Sequence, residues 1–580
     1  MQETLTPIKR FLRMLRLDRK EIGYVYMYAI FSGLITLSIP LGVQAIIGLI
    51  VGGSMTAAVY VLIGVVSIGT LLIGLLKVMQ LTVTESIQRK IFSRSSFEFA
   101  WRLPRIKYEQ LLDAYPPELV NRFFDTLTLQ KGIPKLLTDT STAILQILFG
   151  LLLISLYHPA FVAFSLILIL ILIAIFYFSG PSGLSTSLME SKYKYKVAYW
   201  LEEIGRAVTS FKLSGQSELP MRKTEKLVNS YLDQRAAHFR VLLWQYGAIV
   251  MFKTMVTLAL LALGSWLVIS NQITIGQFVA AEIIIILIMG SAEKLILSME
   301  TIYDVLTAVE KIGYVTDLDL EAESGGICFD QLDNGEGLTL EFKGLSFSFP
   351  DSDRKVLQKI NLSLTGGERV CLIGPNRSGK STLIQMAGLL YTEYQGTITY
   401  NGVSARDLDY QDLRRHIGDY LRDEDLFQAS ILDNLWLLPQ EPDLRQVQWA
   451  VEQVGLDDYI SVQPQGYQTQ ITPGGRNLPA SVRTKLLIAR SLLGRPRFLA
   501  FGDFGTSLAP ADRRRMADLI TGEDYNWTVM AISSDPYFAS RCDRVVYLEN
   551  GRIEINTTYD EAIKDERVQI ALGLIKPENV

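Results

Sequence analysis

Six long apolar runs in the first half of this chain restrict it to folds that cross a lipid bilayer. They occupy residues 24–51, 57–76, about 140–157, 159–178, 246–269 and 275–289. A helix rises about 1.5 Å per residue, so each run approaches the length that spans the hydrocarbon layer. The third and fourth runs lie in one uncharged tract, 140–189, which is too long for a single span. We therefore predict six spans, with a turn at His158-Pro159.

Charge divides the connections between the spans into two kinds. The short connections at 52–54, 158–159 and 270–272 contain no Lys, Arg, Asp or Glu, whereas the long segments 85–135 and 190–240 are rich in Lys and Arg. Because positively charged loops stay in the cytoplasm, we predict that the long segments are cytoplasmic and the short ones external. Six spans then leave the N-terminus and the C-terminus in the cytoplasm.

The first 20 residues are predicted to form an amphipathic helix that lies on the inner membrane surface and contacts lipid. Apolar Phe11, Leu12 and Leu15 alternate there with basic side chains, which are Lys9, Arg10, Arg13 and Arg16. A solvated basic tail is the alternative. The segment has neither an early apolar run nor a small-residue cleavage site, so we expect no cleavable signal peptide. Without an organellar transit pattern, the bacterial inner membrane is the expected location.

The composition supports a membrane protein with a soluble portion. Hydrophobic residues make up 49%, the mean hydropathy is +0.22, and charged residues make up 20%. The net charge is −4 and no basic stripe alternates with aromatic residues, so no nucleic-acid partner is expected. Cys328, Cys371 and Cys542 lack the spacing of a zinc site or a disulfide framework.

Helical periodicity continues beyond the apolar runs, for example from Ile87 to Ala100, which predicts long helical extensions into the cytoplasm. Breaks at 115–117 and 213–220 interrupt the two cytoplasmic segments. After Lys311 the pattern changes to short β-like runs. We predict an amphipathic helix at 1–20, a six-span domain at 21–312, a linker at 313–337 and a soluble domain at 338–580.

The soluble part contains a phosphate-binding loop in its required context. A buried strand at 369–373 leads into GPNRSGKST and then into an apolar helix, which completes the G-x-x-x-x-G-K-S pattern. Backbone N–H groups and the helix N-terminus would hold the phosphates, Lys380 would reach the β- and γ-phosphates, and Ser381 would bind Mg²⁺. A plain glycine-rich turn is the alternative. The predicted nucleotide-binding residues are Gly374, Asn376, Ser378, Gly379, Lys380, Ser381 and Thr382.

Sequences around this loop resemble the nucleotide-binding domain of ABC transporters. The stretch LSFSFPDSDRKVLQKINLSLTGGERVCLIG is similar to the opening of that domain, and Phe349 stands at its adenine-stacking aromatic position. The later stretches GYQTQITPGGRNLPASVRTKLLIARSLLGRPRFLAF and DRVVYLENGRIEI are similar to its helical subdomain and last strands. Six spans before such a domain resemble an ABC exporter half-transporter.

The resemblance implies a multidomain membrane protein, with a six-helix transmembrane domain and an α/β P-loop NTPase domain of the ABC type. It also implies ATP and Mg²⁺ as cofactors and a second half-transporter as partner, in a homodimer or a heterodimer. The breaks near Pro116 and Gly215 would be loop tips that dock on nucleotide-binding domains. The exported substrate is not identified by the resemblance.

The segment PRFLAFGDFGTSLAP departs from the family pattern, which has adjacent Asp and Glu after the strand. One alignment puts Gly502 at the Asp position and Asp503 at the Glu position. The other makes Asp503 the magnesium acid and puts Phe504 at the Glu position. One carboxylate cannot both place the metal and activate water. Asp503 is therefore the one carboxylate candidate for catalysis and, together with Ser381, a candidate for binding the metal, and slow hydrolysis is expected.

Other family positions are altered as well. The signature L-S-G-G-Q stands as Leu478 to Val482 with Pro479 inside it, and Arg422, Ser534 and Ala509 replace the loop glutamine, the switch histidine and an inter-subunit aspartate. His158, His238 and His416 lie elsewhere, and lone histidines of this kind are more often structural or solvated than catalytic. We expect ATP binding to survive and turnover to be very slow, since removing one preorganised group costs about 10² to 10³ in rate. Local drift with compensation nearby is the alternative.

Three charged residues fall within or next to the last two spans. They are Lys253, Glu282 and Glu293. Charges facing lipid are costly, so these side chains are predicted either to contact substrate in a central cavity or to form a pair that ties two helices together.

Two functions remain open from the sequence. The first is a transporter subunit that binds MgATP and exports a substrate by alternating access with strongly impaired hydrolysis. The second is a hydrolysis-inactive membrane scaffold or ATP-gated regulatory subunit.

Overall fold

The computed structural model of the protein describes residues 6–51, 57–112, 115–321, 326–332, 335, 337–350, 352, 354–421 and 425–575. The chain forms two compact units. The first contains residues 1–104 and 114–318, and the second contains residues 105–113 and 319–580. The predicted loop at 52–54 and Arg422 lie outside the described residues.

The described residues up to Thr316 are mainly helical. The helices are α1 (Pro7–Leu15), α2 (Arg19–Val51), α3 (Ala57–Arg102), α4 (Tyr108–Leu111, in the second unit), α5 (Pro116–Asn121), α6 (Asp125–Lys135), α7 (Ser141–Ser155), α8 (Pro159–Arg206), α9 (Val208–Leu213), α10 (Leu219–Ile269) and α11 (Ile275–Thr316). By length and composition, six helical segments of the described chain can cross a membrane, and each corresponds to one predicted span. The six-span prediction is confirmed.

Helices continue well past the apolar runs. Helix α3 ends at Arg102 and α8 at Arg206, while α10 begins at Leu219, far before its apolar part. A helix begins at Pro116, and Gly215 has a φ of +70° between α9 and α10. Both breaks therefore occur where Pro and Gly interrupt the helical pattern.

Glycines let the long helices of the first unit approach closely. A Cβ on Gly183 of α8 would collide with the Tyr303 ring of α11, and a Cβ on Gly264 of α10 would collide with the Phe278 ring of α11. Gln245 of α10 donates to the Tyr303 hydroxyl at 2.7 Å. Small residues with interhelical hydrogen bonds are typical of helix contacts in membranes, where lipid is as apolar as the side chains.

The N-terminal helix α1 is attached to the end of α11 by Arg10. The guanidinium donates to Asp317 at 2.5 Å and lies 3.8 Å from Glu310, and its side chain is 11% exposed. Two carboxylates within the protein therefore bind Arg10, one of the basic side chains of the predicted amphipathic helix. Apolar Ile8 and Leu12 remain exposed on the same helix.

The described residues of the second unit form three β-sheets. Its strands are β1 (Leu340–Ser348), β2 (Lys355–Leu364), β3 (Arg369–Ile373), β4 (Gln395–Tyr400), β5 (Val403–Ser404), β6 (Ile417–Tyr420), β7 (Ala429–Ser430), β8 (Gln470–Ile471), β9 (Phe498–Phe501), β10 (Thr528–Ile532), β11 (Arg544–Glu549) and β12 (Arg552–Thr557). The sheet orders are β2-β1-β4-β5, β12-β11-β3-β10-β9-β6 and β7-β8. Strands β6, β9, β10, β3 and β11 pair in parallel.

Helices accompany these strands in the second unit. They are α12 (Lys380–Ala387), α13 (Tyr410–Arg415), α14 (Ile431–Leu435), α15 (Leu444–Val454), α16 (Asp457–Ser461), α17 (Ala480–Ser491), α18 (Pro510–Thr521), α19 (Pro536–Ser540), α20 (Tyr559–Ala562) and α21 (Glu566–Ala571). Along β3, Val370 and Leu372 enter one buried cluster, whereas Cys371 and Ile373 enter another. Both faces of the six-stranded sheet are thus covered, which explains the continuous apolar run of β3.

Candidate nucleotide-binding site

The phosphate loop leaves the carboxyl end of β3 and leads into α12. Gly374 has a φ of +138°, and a Cβ there would collide with the Leu548 carbonyl oxygen. Gly379, at the N-cap of α12, has a φ of +102°, and a Cβ there would lie 3.0 Å from the Val356 carbonyl oxygen. Both positions thus require glycine for conformation and for space.

The loop lysine is held by its own loop. Lys380 Nζ donates to the carbonyl oxygens of Gly374 and Pro375, both at 2.7 Å, and lies 3.2 Å from Ser378 Oγ. Burial lowers the pKa of Lys380. Desolvation of this kind makes the ammonium group a strong electrostatic partner for an anion that reaches it.

A cavity of about 1400 Å³ opens over this loop. All the predicted nucleotide-binding residues line it, and so does Asp503. Its cationic wall residues are Arg354, Lys355, Arg377 and Lys380. Among the described residues, Asp503 is the one carboxylate in the wall. A cavity with this charge balance suits a polyphosphate.

Two oxygen donors suited to Mg²⁺ lie in the same cavity wall. The hydroxyl-bearing Ser381 is exposed in the first turn of α12, and Asp503 is exposed just after β9. Mg²⁺ prefers few protein oxygens together with substrate phosphates, and these two residues fit that requirement.

Phe349 lines the cavity as part of an aromatic cluster. Its ring centroid lies 5.2 Å from that of Phe347 and 6.0 Å from that of Tyr391. Tyr391 is buried and meets the Tyr108 ring at 5.4 Å. The cluster therefore connects the cavity wall with α4.

The segment that carries α4 is bound to the second unit by a buried carboxylate. Glu109 Oε1 accepts hydrogen bonds from the backbone N–H of Thr392 at 2.5 Å and of Glu393 at 3.1 Å. Lys107 donates to the Glu393 carboxylate at 3.0 Å, and this hydrogen bond raises the pKa of Lys107. The attached segment lies at 105–112, just before the break at Pro116, and sequence reasoning did not identify Glu109.

Asp503 lies in a turn directly after the sheet. Its Oδ1 accepts the Gly505 N–H at 3.0 Å, and the preceding Gly502 N–H donates to the Tyr420 carbonyl oxygen at 2.7 Å. Gly502 thus still continues the pairing of β9 with β6, whereas Asp503 points its carboxylate into the loop. The geometry is compatible with both alignments of Asp503.

The other residues that depart from the family pattern, Ser534, Ala509 and Pro479, lie in separate parts of the second unit. Ser534 lies in the cavity wall, and Ala509 caps the start of α18. Helix α17 begins at Ala480 behind Pro479, which supplies no side-chain cap to that helix end.

Each of the three histidines forms a hydrogen bond within the protein. His158 accepts the Ala160 N–H at the start of α8, and buried His238 contacts the Thr186 hydroxyl at 2.8 Å. His416 lies 2.9 Å from Asp330, near Asp412. Asp412 also accepts the Asp330 N–H at 3.2 Å. Hydrogen bonds therefore explain why Asp330, Asp412 and His416 lie close together.

Two known family models match the chain. Residues 22–292 match the ABC transporter transmembrane region, and residues 357–502 match the ABC transporter domain that contains the phosphate loop. Together these matches cover more than half of the sequence. The chain belongs to the ABC transporters. ATP and Mg²⁺ are accordingly the cofactors of its second unit.

Curated proteins similar to this ABC transporter are named for different cargo. An alpha-hemolysin translocation ATP-binding protein of Escherichia coli O157:H7 is 27% identical over 368 residues, which are 63% of this chain and 51% of that protein. An ATP-dependent lipid A-core flippase of Burkholderia orbicola is 28% identical over 322 residues, 56% of this chain and 53% of that protein. The chain spans about half the length of the curated relatives it matches.

A solved structure shares the fold over nearly the whole chain. It is a bacterial Atm1-family ABC exporter with ATP bound, with a TM-score of 0.85 and 15% identity, covering 97% of this chain and 99% of that one. The expected fold, six membrane-spanning helices followed by an ABC nucleotide-binding domain, is thereby confirmed.

In the membrane unit of this ABC transporter, the structure pairs two of the three predicted charges. Lys253 of α10 forms an ion pair with Glu293 of α11, and each side chain is 33% exposed. Glu282 lies on α11, partly buried. The pairing favours a structural role for Lys253 and Glu293 and leaves Glu282 as the remaining candidate for substrate contact.

Proposed function

We propose that this ABC transporter binds MgATP in the cavity over the phosphate loop and exports a substrate by alternating access with strongly impaired hydrolysis. One observation carries the proposal: the cavity has four cationic wall residues and the intact loop, yet a single carboxylate, Asp503, among its described residues. The residues that bind a triphosphate therefore lie together, while the carboxylates that could place the metal and activate water are reduced to one, Asp503.

In this proposal each residue has a defined task. Phe349 stacks on the base, and Lys380 exchanges its loop carbonyl oxygens for phosphate oxygens. Ser381 and Asp503 would hold Mg²⁺ through the serine hydroxyl and the carboxylate, and the ion would supply positive charge against the phosphates. Closure of two nucleotide-binding units then moves the spans.

The transporter would act as a dimer in a bacterial inner membrane, with both termini in the cytoplasm. The charge difference between short and long connections supports this orientation. A two-fold dimer would combine two six-span halves, either as a homodimer or with a more competent partner. The domain bounds would be 1–20, 21–312, 313–337 and 338–580, with the segment around α4 docked on the last. The substrate contacts would include Glu282.

ATP turnover by the purified full chain in lipid tests the proposal. We expect bound nucleotide and a phosphate release rate little above that of Lys380→Ala. Rapid release by the homodimer would contradict impaired hydrolysis, and failure to bind MgATP would contradict the proposal altogether. Nucleotide binding without turnover or substrate movement, alone and with any co-purifying half-transporter, would instead favour a regulatory scaffold.

A further inference from the structure

A second cavity, of about 190 Å³, adjoins the nucleotide cavity. The two cavities share three wall residues, which are Asp503, Ser533 and Ser534. The apolar part of the small cavity comes from Phe504 and Phe538, whose rings meet edge to face at 5.9 Å. The space is several times that of one water molecule, so it can hold a phosphate-sized group.

Arg513 of α18 enters this cavity with an unsatisfied donor. Its Nε is buried and has no hydrogen-bond partner among the described residues, and its Nη2 makes a long 3.5 Å contact to the Leu508 carbonyl oxygen. A Cβ built on Gly505 would lie 3.6 Å from Arg513 Nε and 3.3 Å from Asp503 Oδ1. The guanidinium and the carboxylate therefore both lie next to Gly505. A buried guanidinium N–H without an acceptor is costly, which indicates that an acceptor from outside the chain completes the site.

Two carboxylates, Asp503 and Asp535, also line this cavity, and one oxygen of each accepts a backbone N–H. Asp503 Oδ1 accepts the Gly505 N–H at 3.0 Å, and Asp535 Oδ1 accepts the Tyr537 N–H at 2.9 Å. Ser533 and Ser534, which carry hydroxyl groups, lie in the wall shared with the nucleotide cavity, and the Ser533 hydroxyl accepts the Asp535 N–H at 3.1 Å. A guanidinium with hydroxyl groups is the donor set that proteins use for phosphate oxygens.

We propose that Arg513, Ser533 and Ser534 form a subsite for a tetrahedral phosphate group at the inner end of the nucleotide cavity. The group is either the terminal phosphate of bound ATP or inorganic phosphate next to bound ADP. The subsite rests on the proposed function, since it adjoins the MgATP site and would give this chain a cationic phosphate contact near Ser534.

Nucleotide titrations of the full-length protein in detergent test the subsite. For Arg513→Gln we expect MgATP affinity to fall about tenfold or more, with MgADP affinity unchanged within about twofold. Arg513→Lys keeps the positive charge but lacks the planar guanidinium, so its MgATP affinity should lie between those of wild type and Arg513→Gln. The matched control is Arg514→Gln, which removes the same charge from the adjacent exposed position. Thermal unfolding and MgADP binding verify that each variant is folded.

A second arm separates the two sources of phosphate. Inorganic phosphate is titrated into the ADP-loaded wild type and into ADP-loaded Arg513→Gln. An Arg513-dependent loss of phosphate binding identifies inorganic phosphate as a ligand, whereas an effect on MgATP alone identifies the terminal phosphate. Unchanged binding in both arms overturns the subsite, as does equal loss of MgATP and MgADP affinity. Wild type that binds neither nucleotide would overturn the proposed function, and the subsite with it.

Discussion

Lys380 Nζ lies 2.7 Å from the carbonyl oxygen of Gly374, the residue that begins its own loop. The carbonyl oxygens of its own loop thus hold the ammonium group inside the loop. Such preorganisation lowers the entropy that binding must overcome. Phosphate oxygens then replace neutral carbonyl acceptors with charged ones, which form stronger hydrogen bonds.

Replacing this lysine should weaken nucleotide binding. For Lys380→Ala we expect MgATP affinity to fall by about tenfold to a hundredfold, because hydrogen bonds to charged groups contribute about 1.5–3 kcal/mol. Isothermal titration of the solubilised protein measures the change. The control is Lys564→Ala at an exposed position outside the cavity wall. Equal affinities of wild type and Lys380→Ala would show that the loop does not hold the nucleotide.

The Glu109 carboxylate should control how firmly the segment 105–112 is attached. In Glu109→Ala, the N–H groups of Thr392 and Glu393 lose their acceptor, so their hydrogen exchange should accelerate by about tenfold or more. Mass spectrometry of deuterated peptides around Thr392 measures it. Exposed Glu441 provides the matched control as Glu441→Ala. Identical amide hydrogen exchange in Glu109→Ala and Glu441→Ala would mean that the Glu109 carboxylate does not control the attachment of segment 105–112.

Stability of the second unit should depend on pH through Glu368. Burial alone would raise the pKa of Glu368, but hydrogen bonds from Arg544 and Thr365 outweigh it and hold the pKa below its usual value. The stabilisation is therefore present above the unfolded-state pKa and is lost as pH falls through the folded-state value. We expect Glu368→Gln to cost about 1–3 kcal/mol at pH 7 and little in acid.

Hydrogen exchange of β3 amides, corrected for intrinsic rates, measures this dependence. Glu523→Gln, which removes an exposed carboxylate, should leave protection unchanged at all pH values. A constant difference between wild type and Glu368→Gln down to pH 3 would contradict the linkage.

The contact of Gly183 with Tyr303 should tolerate no side chain. Gln245 holds the Tyr303 hydroxyl at 2.7 Å, so the ring cannot move away freely. We expect Gly183→Ala to destabilise the first unit by about 1–3 kcal/mol. Gly180→Ala on the same helix is the control, since its Cβ would meet nothing within 4 Å. Thermal unfolding in detergent compares the two, and equal melting temperatures would refute the close packing.

A double-mutant cycle should reveal coupling between Lys253 and Glu293. The variants Lys253→Met and Glu293→Gln, alone and together, should give a coupling free energy of about 0.6–2 kcal/mol in unfolding. The same cycle with Glu282→Gln should give none. Coupling of Lys253 to Glu282 instead would show that the pair is rearranged in the membrane.

The sequence predicted those features that depend on neighbouring residues. The span lengths, the breaks at Pro116 and Gly215, and the loop from Gly374 to Thr382 each occupy one continuous stretch. Glu109 and Thr392 are 283 positions apart, and their pairing leaves no local pattern. Arg513 is equally hidden, because its importance depends on a cavity wall built from three separate segments. The burial of Arg10 was missed for the same reason.

The place of residues 105–112 has a consequence for handling this protein in pieces. A shortened form that starts at residue 319 would keep every strand but omit Glu109, Lys107 and Tyr108, so the Thr392 and Glu393 amides would lose their acceptor and Tyr391 its ring neighbour. No single cut of the polypeptide yields the second unit whole. Restoring that omitted peptide, supplied in solution or fused through a linker, should recover the missing contacts.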